Sequence, residues 1–266
     1  AAFAGHPYQL PPEGSYAKLV AYPVEEAWAY YGELLRRSRM DVVAVGPVPD
    51  SLLRPRLQDA LGSLPLGSFQ RPPHQKLALE PGRVVLKKDS LPANHIRGIA
   101  PAPPAASQEG LALELAVRIL SRRLQADLCR KRYLTCEVQA SYAPFLTGFV
   151  SLSFTAQAPN VTVNAALDVL ERMLQRGISP QELAAVRRAY LLGYYQDLSS
   201  PGGQTTALAA GLVRESWHVL LQVPSLAYRL QPADVEAAAR RYLQPSAFQW
   251  TYLGETGKVG WGAFVR

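Results

Sequence analysis

The sequence predicts an α+β protein in which an antiparallel sheet has helices packed on one of its faces. Segments 133–143 and 148–157 alternate apolar and polar residues and are separated by the short stretch PFLT, a pattern typical of a β-hairpin. Segments 107–130 and 161–198 instead repeat apolar residues at helical spacing. Because an alternating sheet has one apolar face that must be covered, the helices are expected to cover that face.

The first 63 residues predict two helices and a strand. Residues 24–37 have helical spacing, 40–46 (MDVVAVG) form an apolar β-branched run typical of a buried strand, and 50–62 predict a second helix. The stretch 64–75 is rich in proline and glycine and predicts a linker.

The remaining residues, 76–266, predict the main sheet and its helices. Strands are expected at 82–89, 94–100, 133–143, 148–157 and 246–254. Helices are expected at 107–130, 161–176, 179–198, 203–222 and 232–242. Ser179 with Glu182 predicts a capping box at the start of one helix.

Residues 24–46 and 235–254 share one order: a helix, a short polar break, a strand and a final glycine. This internal repeat predicts two related domains, the first represented only by its tail. We therefore expect 1–63 to be the C-terminal part of a first domain, 64–75 a linker and 76–266 a second domain.

Composition indicates a globular protein, with 48% hydrophobic and 18% charged residues. The net charge of +7 is spread along helices with no dense basic tract, which argues against a nucleic-acid partner. No apolar run reaches the length of a membrane span, so no membrane partner is expected. The first 15 residues lack a signal-peptide pattern, which predicts a cytoplasmic location, or a periplasmic one if a signal precedes them.

Cys129 and Cys136 are the only cysteines in the chain. Alternation along 133–143 places Cys136 on the apolar face of its strand, so the favoured interpretation is a pair of free cysteines that act as small buried hydrophobes. A disulfide between them requires Cα atoms within roughly 7 Å across the helix-to-strand turn. A redox or metal-binding role is the third alternative.

Three segments carry a resemblance to a known family. LCRKRYLTCEV (128–138) resembles the segment L-R-E-K-x-G-L-x-Y-x-V, and RGISPQEL (176–183) and FAGHPYQLPPEGS (3–15) resemble two further landmarks in the same order. The chain is thus similar to insulinase-type and mitochondrial-processing-peptidase-type zinc peptidases, mainly to their C-terminal, non-zinc domain. The segment LLRRSRMDVVAVG (34–46) is similar to that of bacterial members encoded as paired genes, some of which are non-catalytic.

The resemblance implies an Arg at position 129 and a Tyr at position 136, which in the family reach into the active-site chamber and steady the peptide carbonyl. Both positions are cysteine here, and a thiol is a short, weak donor. Arg130 or Arg132 is a candidate substitute for the Arg, and Tyr133 for the Tyr. We expect no catalytic residue in this chain.

The family's zinc motif, H-x-x-E-H, is absent from the sequence. The four histidines are His6, His74, His95 and His218, and no two lie one helical turn apart. No cofactor is therefore expected in this chain, and the resemblance implies that zinc is held by a missing segment or by a partner.

These observations predict a non-catalytic half of a zinc metallopeptidase that helps to enclose and bind peptide, with a preference for acidic or extended peptides. The alternatives are a scaffold subunit of a larger assembly and a fragment of an active peptidase whose zinc motif lies upstream. The expected partners are a peptide substrate or a catalytic subunit, in a homo- or hetero-oligomer. Segment 94–100 could be an exposed sheet edge that pairs with peptide, although a covered edge is the commoner case.

Overall fold

The structure, a computed structural model, describes residues 3–10, 13–71, 73, 75–88, 93–104 and 107–264. The α-helices of these residues are α1 (Tyr16–Ala21), α2 (Val24–Leu34), α3 (Asp50–Leu61), α4 (Gln108–Leu124), α5 (Pro159–Arg176), α6 (Pro180–Asp197), α7 (Pro201–Val213), α8 (Trp217–Leu220), α9 (Val223–Arg229) and α10 (Pro232–Tyr242). The strands are β1 (Val84–Lys88), β2 (Asn94–Pro101), β3 (Val138–Ala143), β4 (Phe149–Ala156) and β5 (Gln249–Gly254).

The five strands form one sheet in the order β1-β5-β2-β4-β3. The predicted α+β class is confirmed, but the sheet is mixed, because β1 pairs with β5 in parallel while the other pairs are antiparallel. The last strand enters between β1 and β2, so these neighbours in sequence do not pair. Adjacency along the chain favours pairing but does not require it.

The core lies between one face of the sheet and the helices. Even-numbered residues of β2 and β4, such as Ile96, Leu152 and Phe154, are buried against α4, whose Leu113 and Leu120 are fully buried. Trp250 and Tyr252 of β5 belong to the same cluster and have no exposed surface. The helical layer on one face, expected from the alternating strands, is therefore present.

Three predicted elements differ from the structure at their ends. The helix predicted to reach Arg130 changes to a π-helical turn at Gln125–Lys131, and β3 begins only at Val138. The helix predicted at 203–222 is interrupted after Val213 and continues as two short helices.

The predicted capping box at the start of α6 forms only in part. Ser179 Oγ accepts a hydrogen bond from Glu182 N at 3.2 Å. The Glu182 carboxylate instead pairs with the Arg123 guanidinium, with Arg123 Nη2 2.6 Å from Glu182 Oε2. Glu182 thus forms a long-range ion pair with α4 in place of the local hydrogen bond to the Ser179 backbone that completes a capping box.

The predicted strand at 40–46 is not a strand in the structure. These residues form no sheet ladder with any other described segment. Helices α1, α2 and α3 around this segment contain no buried residue. Exposed large apolar side chains there include Tyr16, Leu19, Trp28, Tyr31 and Leu52.

Candidate functional site

The face of the sheet away from the helices is lined by polar side chains. The odd-numbered residues of the central strand β2, His95 and Arg97, point to this open face and are exposed. The register places Arg97 between Ser153 of β4 and Thr251 of β5, and places His95 between Thr155 and Leu253. Directly paired residues in antiparallel strands have Cβ atoms about 5 Å apart, so these side chains form two adjacent rows across the sheet.

One end of the open face is covered by the N-terminal segment and the chain before β1. Ile99 and Phe149 form a small apolar cluster with Phe3, Leu77 and Leu79. The ring of Phe3 packs edge-on against Phe149 with a centroid distance of 5.3 Å.

His6 joins the N-terminal segment to the chain before β1. It lies in the N-terminal turn and is buried (7% exposed). Its Nε2 lies 3.0 Å from the carbonyl oxygen of Gln75, which also accepts a hydrogen bond from Thr147 Oγ1 at 2.6 Å.

The other end of the open face is a cavity of about 610 Å³. Its walls combine sheet residues with the end of α4 and the segment before β3. The lining residues are His95, Ile96, Arg97, Ser121, Gln125, Cys136, Glu137, Val138, Gln139, Ser153, Phe154, Thr155, Thr251 and Leu253. A volume in this range is typical of ligand sites, and the lining supplies hydroxyl, amide, imidazole and guanidinium groups.

The outer edge of β3, beside this cavity, is hydrogen-bonded to α4 and to the π-helical turn that follows it. Gln125 Nε2 donates to Val138 O at 2.7 Å and to Cys136 O at 3.1 Å, and Ala140 N donates to Ser121 Oγ at 3.3 Å. These side chains occupy main-chain groups that an added strand would need. The edge predicted at 94–100 is also not available, because β2 is the central strand and pairs on both sides.

Cys129 and Cys136 form a disulfide, with Cα atoms 4.5 Å apart. The favoured prediction of two free, buried cysteines was therefore wrong. Cys136 precedes β3 and is exposed, because the turn after the π-helical segment continues to residue 137 and the strand alternation does not yet apply. The bond joins the end of the α4 helical run to the start of β3, next to the cavity.

Neither Arg130 nor Tyr133 lines the cavity. Arg130 is exposed on the π-helical turn, and Arg132 pairs with Asp127, its Nε 2.5 Å from Asp127 Oδ1. Tyr133 is 85% exposed and has a positive φ of 54°. The structure thus separates these three candidate substitutes from the polar rows of the open face.

A zinc site does not fit the described residues. No group of three or more His, Cys, Asp or Glu side chains there could hold a metal ion. His6 is in the N-terminal turn, His95 on the open face and His218 in α8, while His74 lies outside the described residues. Within the described chain, no helix is both long enough and apolar enough to span a membrane.

Sequence reasoning did not find the polar rows of the open face. In the sequence, His95 is only a histidine without a zinc partner, and Arg97 is not a candidate site residue. The signal was the alternation in NHIRGIA (94–100), which places His95 and Arg97 on one face of a strand. The alternation could not predict that β2 is the central strand, because this depends on where β5 enters the sheet.

A second cavity, of about 380 Å³, lies on the helical side between α4, α6 and α7. Burial, together with the nearby Glu114 carboxylate, raises the pKa of Tyr190 to about 12. The same two causes raise the pKa of Tyr142, whose hydroxyl donates to Pro103 O at 2.6 Å. Glu114 itself pairs with Arg118.

Three solved structures with the same fold are distant from this chain in sequence. A protease from Helicobacter pylori is 16% identical, with a TM-score of 0.82 over 95% of this chain and 64% of its own. A peptidase M16 inactive domain from Pseudomonas fluorescens is 18% identical, with a TM-score of 0.81 over 96% of this chain and 63% of its own. The periplasmic protease PqqL from Escherichia coli is 17% identical, with a TM-score of 0.67 over 80% of this chain and 25% of its own.

This chain therefore spans about two thirds of the length of the first two of these proteins. No curated protein matches the sequence. The sequence profile of the peptidase M16 inactive domain, however, matches residues 23–190, more than half of the chain. The resemblance to the non-zinc domain of these peptidases is thereby confirmed, and the chain belongs to the peptidase M16 inactive-domain family.

Proposed function

We propose that this chain is a non-catalytic half of an M16-type zinc metallopeptidase that helps to enclose and bind a peptide. The observation that carries the proposal is the open polar face of the sheet, with its cavity of about 610 Å³, in a chain of the inactive-domain family. Zinc and the hydrolytic step belong to another segment or to a partner subunit. The paired-gene bacterial branch of the family is the finer assignment that suits this division of labour.

The shape of the site supports an extended peptide. Two rows of mostly polar side chains cross the sheet, and neighbouring strands lie about 4.8 Å apart, so five strands span roughly 19 Å. That length matches five or six residues of an extended chain. Because α4 occupies the outer edge of β3, the peptide lies across the face and does not extend the sheet there.

Positions 129 and 136 support a non-catalytic role. Their sulfur atoms are bonded to each other, so neither side chain is a donor for the oxygen of a tetrahedral intermediate. The disulfide fixes the segment that leads into β3, and this wall of the cavity is held in place by a covalent bond instead of carrying reactive groups.

The disulfide also favours an oxidising compartment. Structural disulfides are rare in the cytosol and common in the periplasm and outside the cell. We therefore propose the periplasmic alternative over the cytoplasmic one. Mass spectrometry of the alkylated protein isolated from its native source is the direct measurement, and free thiols at both positions would overturn this placement.

A scaffold role is the second candidate, and one observation favours it. Helices α1, α2 and α3 display apolar side chains without burying any of their residues, and Trp28 is 68% exposed. An apolar surface of this kind marks a contact with another chain or segment. The same surface suits a fragment of an active peptidase whose zinc domain precedes this chain.

Zinc analysis, a peptidase assay and a peptide-binding titration test the proposal on the full chain. We expect no stoichiometric zinc, no hydrolysis of unstructured peptides and saturable binding of those peptides. Stoichiometric zinc or hydrolysis that survives repurification would overturn the non-catalytic assignment. If the chain is folded by circular dichroism but shows no saturable peptide binding, the scaffold role is the better explanation.

A further inference from the structure

Arg97 occupies the centre of the open face. It is the fourth residue of β2, the middle strand of five, and it faces away from the core. Its partners across the sheet are Ser153 and Thr251, whose short side chains leave room around the guanidinium. Among the residues that the structure describes, the Arg97 side chain has no hydrogen-bond or ion-pair partner.

Several arginines of the helical layer are paired. Arg123 binds Glu182, Arg172 binds Asp127, and Arg240 binds Glu236. An arginine in the middle of a sheet face, with two neighbouring strands but no acid beside it, differs from these. Its charge and its five donors are open to a ligand.

The charges around Arg97 are asymmetric. His95 lies two residues before Arg97 on β2. Lys87 of β1 lies in the row of His95, on the other side of Leu253. Among the described residues that line the cavity, the one acid is Glu137, and its Oε2 already accepts a hydrogen bond from Thr155 Oγ1 at 2.8 Å. Lys87 therefore places a positive charge at the β1 side of the face, and the one acid among the described lining residues is at the β3 side.

We infer that Arg97 forms a carboxylate subsite for the bound peptide, with the hydroxyls of Ser153 and Thr251 as flanking donors. This inference rests on the proposed peptide-binding function and names the chemical class that the site selects. A guanidinium can bind a carboxylate through two parallel hydrogen bonds, which gives both affinity and orientation. The carboxylate is either an acidic side chain within the peptide or the C-terminal carboxylate.

Four labelled peptides of the same length distinguish these sources. One has a central Glu and an amidated C-terminus, one has Gln in its place, one is neutral with a free C-terminal carboxylate, and one has both carboxylates. Affinities are measured by fluorescence anisotropy with the full chain at two salt concentrations. We expect the carboxylate that occupies the subsite to strengthen binding about tenfold over the amidated Gln peptide.

Variants of the protein assign this preference to Arg97. Arg97→Gln should abolish the tenfold preference. Arg97→Lys should retain only part of it, because lysine keeps the charge but not the planar pair of donors. Arg188→Gln, at an exposed position on α6, removes the same charge elsewhere and should keep the full preference.

The outcomes separate the two proposals. Saturable binding of all four peptides with equal affinity would overturn the subsite and leave peptide binding standing. A preference that survives in Arg97→Gln, or that is lost equally in Arg188→Gln, would also overturn the subsite, since net charge alone would then explain it. Absence of saturable binding by any peptide would overturn both.

Discussion

Gly98 lies directly against the indole ring of Trp250. A Cβ atom built on Gly98 would be 2.7 Å from Trp250 Cζ3 and 2.9 Å from Cε3. Both residues are in the register pair of β2 and β5 that faces the helices, and Trp250 has no exposed surface. The glycine lets the largest side chain of the core lie flat on the central strand.

Replacement of Gly98 by Ala should therefore destabilise the protein. The buried ring packs against Phe154, Phe248 and Phe264, and overpacking of this kind costs about 1–3 kcal/mol. This exceeds the roughly 0.5–1 kcal/mol that Ala gains over Gly in backbone entropy. The free energy of unfolding in urea is the measurement.

Gly193→Ala is a matched control, because no atom lies within 4 Å of a Cβ built at this position in α6. It should stabilise the protein by up to about 1 kcal/mol, the helix-propensity difference between the residues. Equal effects of the two substitutions would show that the contact with Trp250 is not the cause.

Tyr133 stands at a position where the backbone has a positive φ of 54°. It follows the π-helical turn, and Leu134 N closes the helix end on Leu128 O at 2.8 Å. A non-glycine residue in this region costs roughly 1 kcal/mol, and the Tyr133 side chain is 85% exposed, so it recovers little by packing. Tyr133→Gly should raise the free energy of unfolding by about 0.5–1 kcal/mol.

Tyr133→Ala separates backbone strain from the loss of the aromatic ring. It removes the ring but retains a Cβ, so it should leave the stability nearly unchanged. Stabilisation by both variants to the same extent would contradict the assignment of strain to the backbone. Urea denaturation monitored by circular dichroism reports both effects.

Local patterns predicted most elements of the fold, because their signals lie within single segments. The alternation in 133–143 and 148–157 predicts a hairpin, and the helical stripe from Leu113 to Leu124 predicts the central helix; both are present. The position of β5 could not be predicted in the same way. It depends on the fit of Trp250 over Gly98, which lie 152 residues apart in sequence.

Asn94 shows the same limit within the site region. Its Oδ1 accepts hydrogen bonds from Tyr252 Oη at 2.7 Å and Glu255 N at 2.9 Å, and its Nδ2 donates to Ala156 O at 2.9 Å. The residue joins β2 to the ends of two neighbouring strands. In the sequence it is one asparagine at the start of a predicted strand, and no local pattern reveals three partners that are more than 60 residues away.

Tyr190 should make the protein sensitive to high pH. Burial raises its pKa from 10.0 to about 12, so the folded state keeps the phenol proton between these values while the unfolded state loses it. The unfolded state then binds fewer protons, and stability falls as pH rises from about 10 to 12. Two pKa units correspond to at most about 2.7 kcal/mol, and partial exposure reduces this to roughly 1–2 kcal/mol.

Tyr190→Phe should remove that part of the loss. The measurement is the free energy of unfolding from pH 9 to 11.5 for the variant and the unmodified chain. Tyr142 lies in the same cavity and also lowers the stability of both proteins at high pH. The contribution of Tyr190 is therefore the difference in stability between the two proteins. Tyr16→Phe, at an exposed position, is the control, and a similar change in slope there would rule out burial as the cause.

The Cys129–Cys136 bond should stabilise the folded chain, because it closes a short loop in the unfolded state. With a sequence separation of seven residues, the loop-entropy relation gives roughly 2–2.5 kcal/mol. The double variant Cys129→Ser/Cys136→Ser should lose about this amount under oxidising conditions. In excess reductant the two proteins should have nearly equal stability, since both then lack the cross-link.

A deficit in stability that persists in reductant would indicate that the sulfur atoms stabilise the fold by packing. If the disulfide also holds the wall of the open-face cavity, the same variant should bind peptide more weakly without gaining any hydrolytic activity.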